Sequence, residues 1–293
     1  MAGDATRITF IGFGEAAGAF LSGWGLGGTG RVRAFDIKSL DPAESAAMAS
    51  RRAAAGLAGG PDLAGALDAT DVALCLVTAD QALAAARAGA RHLPAGALWI
   101  DGNSCAPETK RAAAAEIEAA GGRYVDMAIM APVYPKRHLT AVLLAGPAAP
   151  EAADRLRALG MKPGIAGERV GHASTIKMLR SVMVKGIEAL TAECLLAARK
   201  AGVDGAVLAS LDASDPASGW EARAAYNLER MMVHGIRRAA EMREVAATLR
   251  DLGMPDRLAA ATALWQDEIG GLKLPGGEDD FGTRADHVLV ARG

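Results

Sequence analysis

The sequence has few cysteines and almost no net charge, and both shortages exclude classes of function. Its three cysteines, Cys75, Cys105 and Cys194, lie far apart and form no CxxC pair that would chelate zinc or make a redox centre. The formal net charge of -2 provides no field that would attract nucleic acid or an anionic membrane. We therefore expect no metal site and no nucleic-acid partner, and a reducing compartment fits the cysteine usage.

Long apolar segments are missing as well. No segment approaches the roughly 18 uninterrupted apolar residues that a membrane span needs. The opening segment, residues 1–7, is short and polar and does not resemble the apolar core of a signal peptide. These features favour a cytoplasmic protein with no membrane partner.

The first part of the chain alternates short apolar runs with helical patterns, from Arg7 to about Ile165. This alternation is typical of crossover units on a parallel sheet, and each run is apolar enough to be covered on both faces. The predicted strands are residues 8–11, 32–35, 72–77, 98–101, 124–127 and 142–145. The pattern predicts an α/β domain, a Rossmann-type doubly wound parallel sheet, over residues 1–168.

The second part of the chain is predicted to be all α-helical. Residues 174–201 and 221–252 carry apolar side chains at helical spacing, and glycines at 167 and 171 interrupt the pattern before the first of these helices. We place a helical domain over residues 169–293. Residues 274–293 are expected to form a loose tail unless something docks them.

A GxGxxA motif joins the first predicted strand to a helix. Gly12 permits a tight turn, Gly14 lets the backbone approach a pyrophosphate, and the small Ala17 allows the helix to pack closely on the strand. The positive end of the helix would hold the phosphates. We predict a dinucleotide site here rather than a purely structural turn, with contacts from Gly12, Phe13, Gly14, Glu15, Ala16 and Ala17.

The residues after the second and third predicted strands bear on which dinucleotide binds. Asp36 would accept hydrogen bonds from ribose hydroxyls and repel a 2'-phosphate, which favours NAD and makes NADP the less favoured cofactor. Lys38 is either a cation that could accommodate that phosphate or an ordinary surface lysine. Val77, Thr78 and Ala79 should lie beside a ribose of the cofactor, although Thr78 could equally be a helix N-cap.

Lys177 is the candidate for proton transfer. It lies among Ile176, Met178 and Leu179 early in a long predicted helix. A lysine buried beside a nicotinamide can exchange a proton near neutral pH, because desolvation lowers its pKa. A lysine in such a place can also extend its charge to the surface, and the residues alone leave both alternatives open.

Residues 171–181 resemble the catalytic signature of the 3-hydroxyacid dehydrogenase superfamily, which includes 3-hydroxyisobutyrate and 6-phosphogluconate dehydrogenases. Gly171 and Lys177 match that signature, Ala173 stands where a second glycine is usual, and Ser181 replaces an asparagine. The resemblance runs through nearly the whole chain. It implies an oxidoreductase that transfers a hydride between NAD and a hydroxy acid or related alcohol, with Lys177 as general acid and base and Ser181 orienting the substrate.

The same resemblance implies further contacts and an assembly. Residues 101–104 look like the family segment that reaches nicotinamide and substrate, which makes Ser104 a catalytic residue and Asn103 a cofactor contact. A helical domain of this kind builds dimers in the family, so we expect a homodimer with the active site in the cleft between its domains. The C-terminal half, with residues 185–188 and 231–238, looks most like a poorly characterised branch.

One segment departs from the family. Met130, Ala131 and Pro132 stand where relatives carry a Ser-Gly-Gly that grips the substrate carboxylate, and neither methionine nor proline can replace those donors. We predict a pocket against Met130, Pro132 and Tyr134 for a larger or less anionic group. Alternatively, Met130 is core filler and the carboxylate is held elsewhere, by Arg180 or by a face of one helix with residues at i, i+3, i+4 and i+7, namely His234, Arg237, Arg238 and Glu241.

That helical face could also be an ordinary solvated face with exposed ion pairs. Two rival functions stay open for the chain as a whole. The first is an NADPH-dependent imine reductase on the same scaffold, against which the retained Lys177 argues. The second is a non-catalytic NAD-binding regulator, which would bind the cofactor without turnover.

Overall fold

The computed structural model describes residues 6–59 and 62–293, so most of the polar opening segment lies outside the described residues. The chain divides into two compact units, Met1–Lys177 and Met178–Gly293. Within the described chain, no helix combines the length and the apolar character that crossing a membrane requires.

The first unit is an eight-stranded sheet with helices between its strands, in the order β3-β2-β1-β4-β5-β6-β7-β8. Its strands are β1 (Ile8–Ile11), β2 (Val32–Phe35), β3 (Ala58–Gly59), β4 (Val72–Cys75), β5 (Leu98–Asp101), β6 (Arg123–Ile129), β7 (Val142–Ala145) and β8 (Gly164–Gly167). Its helices are α1 (Glu15–Trp24), α2 (Ser45–Ala54), α3 (Leu63–Leu67), α4 (Ala82–Ala90), α5 (Pro107–Ala119) and α6 (Ala149–Ala158). This is the predicted Rossmann-type architecture.

All six predicted strands are present, and two more were missed. β3 and β8 are short and rich in glycine and alanine, so they carry no apolar run that would announce a strand. The predicted parallel arrangement holds except that β7 pairs antiparallel with β6. Between these two strands the described chain has only a 3-10 turn, Arg137–Leu139, whereas a parallel crossover usually needs an α-helix.

Alternate residues of the central strands feed two apolar cores on opposite faces of the sheet. In β5, Leu98 and Ile100 pack into one core, and Trp99 packs into the other. The strands are buried on both faces because helices cover both, as their continuous apolar runs predicted.

The carboxyl ends of five strands lie at one edge of this sheet, because β2, β1, β4, β5 and β6 are parallel neighbours. The chain moves outward from β1 to β2 and β3, then returns to place β4 on the other side of β1. The gap between β1 and β4 is therefore the topological switch point at which such sheets bind their ligands.

The second unit is helical, as predicted. It contains α8 (Asp204–Ser214), α9 (Trp220–Asp251), α10 (Arg257–Gly271), α11 (Phe281–Arg292) and most of α7 (His172–Lys200). The units divide inside α7, after Lys177 rather than after residue 168. The first turn of α7 stays with the sheet because Gly171 N and Ser174 N both donate to Asp126 on β6, at 3.1 and 3.0 Å.

The C-terminal segment is not a loose tail. α11 buries Phe281, Ala285 and Val288 in the core of the second unit, together with Leu228 and Met231 of α9. Asp280 caps the helix by accepting a hydrogen bond from Thr283 N at 2.7 Å. These three apolar residues, spaced along one face of α11, dock the segment onto the second unit. The sequence analysis had left open whether anything would dock it.

Candidate active site

The turn after β1 has the shape that a pyrophosphate requires. Gly12 has a φ of 85°, and a Cβ there would lie 2.5 Å from the carbonyl oxygen of Leu76. A Cβ at Gly14 would meet nothing within 4 Å, so space lies open in front of the helix. Gly14 is the N-cap residue of α1, and as a glycine it has no side chain that could cap the helix. These residues therefore fit a dinucleotide whose phosphates lie at the start of α1.

The other predicted residues of this turn differ in exposure. Phe13 and Ala17 are buried in the core, so Phe13 offers a cofactor only its backbone. Ala16 packs partly against the same core, and Glu15 is exposed in the first turn of α1. The turn therefore offers a cofactor mainly backbone groups, and the Arg51 guanidinium reaches it by donating to the Phe13 carbonyl oxygen at 3.3 Å.

Asp36, at the end of β2, already bonds to the turn. Its carboxylate accepts hydrogen bonds from Phe13 N at 2.8 Å and from Lys38 N at 3.0 Å. A carboxylate has about four acceptor positions, so two remain for ribose hydroxyls. Lys38 pairs with Glu44 at 2.6 Å, and the hydrogen bond and charge of Glu44 raise the pKa of Lys38.

The loop after β4 is fixed by the loop after β5. Val77 N donates to Asn103 Oδ1 at 2.7 Å, and Asn103 is buried. Thr78 stands at the N-cap position of the 3-10 turn Ala79–Gln81 without capping it through its side chain. Its side chain instead hydrogen-bonds to Asp80 and lowers the pKa of that carboxyl. Asn103 thus shapes the predicted cofactor loop.

Lys177 and Ser104 meet, although 73 positions separate them in sequence. Lys177 Nζ donates to Ser104 Oγ at 2.6 Å, and both residues are partly buried. Ser104 lies just beyond the carboxyl end of β5, beside the β4 loop that Asn103 holds. The two predicted catalytic residues of the first unit therefore form one contact at the ligand-binding edge of the sheet.

A buried ionic network underlies this contact, and its centre is Lys110 of α5. The side chains of Lys110, Asp101 and Asp126 have no exposed area. Lys110 Nζ donates to Asp101 Oδ1 at 2.8 Å and to the Asp101 carbonyl oxygen at 2.6 Å, and lies 3.6 Å from Asp126 Oδ1. Burial tends to lower the pKa of Lys110, but the charges of Asp101 and Asp126 outweigh it, so the pKa is raised and the ammonium stays charged.

This network was not predicted from the sequence, although a signal was present. Lys110 shares a helical face with Ala113, Ala114 and Ile117, all buried, so it lies on the apolar stripe of α5. A lysine on such a stripe is either snorkelling or paired with a buried carboxylate. Asp101 and Asp126, inside otherwise apolar strands, were the partners to look for.

The three residues predicted to line a substrate pocket differ in exposure. Met130 is half-buried and packs against Ala128, Ala145 and Ala173, which fits the core-filler alternative. Pro132 and Tyr134 are exposed, and Tyr134 is 51% accessible. The segment follows β6, so it lies at the same sheet edge as Ser104.

The remaining predicted residues belong to the second unit. Arg180 is exposed, whereas Ser181 is buried and accepts a hydrogen bond from Lys185 Nζ at 3.2 Å. Lys185 in turn pairs with Glu241 at 2.9 Å. Ser181 is therefore part of a buried polar cluster of α7 and α9.

The helical face proposed for an acidic substrate is not a uniform charged surface. Arg238 is buried, and its guanidinium forms two hydrogen bonds with Glu188, one of them from Nε at 3.1 Å. Burial, followed by the charges of Arg230 and Arg237, lowers the pKa of His234, so the imidazole is neutral at pH 7. The face borders the apolar stripe of α9, and of its four residues only Arg237 is exposed. Arg238 is therefore committed to an internal ion pair, so it belongs neither to an exposed anion-binding face nor to a solvated one.

The doubly wound sheet, the turn after β1 and the lysine–serine contact at the carboxyl edge give this chain an NAD-binding type of fold like that of dehydrogenases. Comparisons with known proteins agree. Residues 7–160 match the family model for the NAD binding domain of 6-phosphogluconate dehydrogenase, and residues 198–269 match a domain of unknown function. The chain belongs to the 3-hydroxyacid dehydrogenase superfamily.

Several solved structures resemble the chain over nearly its full length. A conserved hypothetical protein from Sinorhizobium meliloti 1021 is 38% identical, with 98% of this chain and 97% of that chain covered and a TM-score of 0.77. The conserved protein MTH1747, of unknown function, is 30% identical over 93% of this chain and 100% of that chain, with a TM-score of 0.69. MTH1747 is itself described as structurally similar to 3-hydroxyacid dehydrogenases.

More distant structures share the fold. Mycobacterium tuberculosis 3-hydroxyisobutyrate dehydrogenase, solved with L-serine, is 18% identical over 97% of this chain and 99% of that chain, with a TM-score of 0.73. A reductive aminase from Aspergillus terreus, solved with NADPH, is 17% identical over 96% of this chain and 99% of that chain, with a TM-score of 0.55. No curated protein matches the chain.

Proposed function

We propose that the chain is an NAD-dependent dehydrogenase that oxidises the CH–OH group of a hydroxy acid or a related alcohol, with Lys177 as general acid and base. The observation that carries this proposal is the 2.6 Å hydrogen bond from Lys177 to Ser104 at the carboxyl edge of the sheet. This edge is where dinucleotides and their substrates bind in doubly wound sheets.

Each part of the edge has a role in this proposal. The turn from Gly12 to Ala17 holds the pyrophosphate, and Asp36 accepts hydrogen bonds from a ribose. Val77, Thr78 and Ala79, with Asn103 behind them, position the nicotinamide half. A bound NAD supplies the hydride acceptor, so the residues of the chain need only orient the substrate and move one proton.

Lys177 moves that proton. In oxidation its neutral amine takes the proton of the substrate hydroxyl, and in reduction its ammonium returns a proton to the alkoxide oxygen. Ser104 Oγ accepts a hydrogen bond from the ammonium, which stabilises the protonated form that oxidation produces. Ser181 remains a predicted substrate contact.

The decisive experiment replaces Lys177 by methionine. We expect Lys177→Met to abolish NAD-dependent turnover of the best substrate in a panel of hydroxy acids and alcohols, because no other group then takes the hydroxyl proton. NAD affinity, measured by titration calorimetry, should stay nearly unchanged. Retention of more than about a hundredth of the activity would contradict the assignment, since general-base loss typically costs 10²–10⁴-fold.

The control variant is Lys162→Met, which removes an exposed lysine of the same unit. It should keep full activity. The rival functions give different results with the wild-type protein: reduction of cyclic imines with NADPH would indicate an imine reductase. NAD binding without turnover of any panel member would indicate a regulator.

A further inference from the structure

The buried network around Lys110 contacts the two segments that carry Ser104 and Lys177, the residues of the proposed proton-transfer pair. Asp101 ends β5, and its Oδ1 accepts from Asn103 N at 2.9 Å, directly before Ser104. Tyr124 OH donates to the other oxygen of Asp101 at 2.7 Å. Asp101 thus fixes the backbone on which Ser104 stands.

Asp126 fixes the other partner. Its Oδ1 accepts from Ser174 Oγ at 2.6 Å, and its Oδ2 accepts from the backbone N–H groups of Gly171 and Ser174. A carboxylate that accepts these bonds holds the first turn of α7 on the sheet, where the helix dipole also favours a negative charge. Lys177 stands one turn further along the same helix.

Lys110 lies between the two carboxylates. Its ammonium bonds to Asp101 and lies 3.6 Å from Asp126, and all three side chains are fully buried. Two buried carboxylates this close would repel each other without a cation between them. The ammonium therefore offsets the repulsion between the carboxylate at the end of β5 and the carboxylate that holds the start of α7.

We propose that Lys110 is a positioning residue whose ammonium, through Asp101 and Asp126, holds Ser104 and Lys177 within hydrogen-bond distance of each other. The catalytic meaning of this arrangement rests on the proposed function, whereas the coupling itself does not. Lys110 touches neither substrate nor cofactor in this role.

The test measures Lys177 directly and needs no substrate. Trace acetylation with acetic anhydride between pH 6 and pH 11, followed by tryptic digestion and mass spectrometry, reports Lys177 in the 170–180 peptide. Exposed Lys200 serves as the internal reference. Loss of the bond to Ser104 destabilises the charged amine, so Ser104→Ala should move the labelling midpoint of Lys177 to lower pH.

Lys110→Met alone would leave the Asp101 carboxylate without the cation that bonds to it. The main variant is therefore Lys110→Met/Asp101→Asn, which removes both partners of the closest ion pair, keeps a partner for Tyr124 and leaves Asp126 with its bonds from Gly171 and Ser174. We expect it to move the labelling midpoint of Lys177 in the same direction as Ser104→Ala, by at least half as much. The midpoint of Lys200 should not move.

The matched control is Arg284→Met, which removes a buried cation of the second unit that donates to the carbonyl oxygens of Gly276 and Ala225. It should leave the Lys177 midpoint unchanged. The proposal is overturned if the double variant leaves that midpoint in place, if Ser104→Ala does so, or if Arg284→Met moves it as much. Failure of Lys177→Met to lose turnover would reject the proposed function and leave this coupling intact.

Discussion

At the residue scale, Asp36 is the residue on which the expected choice between NAD and NADP depends. Its carboxylate is held by Phe13 N and Lys38 N, so it cannot turn away from a ligand at the end of β2. The nearby cation Lys38 is already paired with Glu44, which weakens any attraction of a 2'-phosphate. These two contacts are the basis on which we expect a preference for NAD.

We therefore expect NAD to bind at least about tenfold more tightly than NADP in titration calorimetry, a difference of about 1.4 kcal/mol. Asp36→Asn should narrow this ratio, because the repulsion of the 2'-phosphate is removed. Asp41→Asn removes a carboxylate of the same loop that accepts from Ala43 N, and it should leave the ratio as it is. Equal or tighter binding of NADP by the wild-type protein would refute the prediction.

Individual residues of the candidate site differ in how well the sequence predicts them. Gly12, Lys177 and Ser104 were found because a motif or a family signature marks them. Lys110 was missed because no motif contains it, and its importance follows from Asp101 and Asp126, which only the folded sheet brings beside it. The buried ion pair of Arg238 was not predicted because its partner Glu188 lies on another helix, 50 positions away.

At the element scale, the segment after β6 separates this chain from the dehydrogenases it resembles. Met130 packs against three alanines, and Pro132 has no N–H to donate, so the segment offers little to a carboxylate. We expect small 3-hydroxy acids such as 3-hydroxyisobutyrate to be poor substrates with NAD. A kcat/KM above about 10⁴ M⁻¹s⁻¹ would show that the segment does not limit them.

A gain-of-function variant makes the same prediction sharper. Met130→Ser/Ala131→Gly/Pro132→Gly restores the hydroxyl and the amides that the family resemblance implies, and it should raise kcat/KM for 3-hydroxyisobutyrate by about tenfold or more. Pro132→Gly alone supplies no hydroxyl and serves as the control. The difference between the thermal melting temperatures of the triple variant and of Pro132→Gly shows how much stability is lost with the packing of Met130.

Element bounds followed the sequence closely where apolar periodicity was strong. α7 and α9 begin and end within two residues of the predicted 174–201 and 221–252. The direction of a strand was harder to predict. The run at residues 142–145 is equally apolar in a parallel and in an antiparallel β7. Its antiparallel pairing follows from the missing helix before it, which a count of elements could have revealed.

At the scale of the whole molecule, the second unit carries large apolar side chains that its own core does not cover. Leu190, Leu258, Leu264 and Val290 are 68%, 75%, 69% and 82% exposed. We expect some of these side chains to be covered in the homodimer that the family resemblance implies. Light scattering should then give about twice the chain mass of 29.9 kDa.

Leu264→Asp should weaken that dimer, raising its dissociation constant about thirtyfold, which corresponds to about 2 kcal/mol for a lost buried leucine. Leu139→Asp places the same change at an exposed leucine of the first unit and should leave the mass unchanged. A monomeric wild-type protein at micromolar concentration would contradict the expectation.

The docking of α11 has a consequence for the order in which the protein is made. Every strand of the sheet has been synthesised by Gly167, so the first unit can fold while translation continues. The core of the second unit needs Phe281, Ala285 and Val288, which follow the other buried residues of that core in the chain. At about 5–20 residues per second, synthesis from Met178 to Val288 takes about 6–22 s, during which α7 and α9 expose apolar surface that α11 later covers.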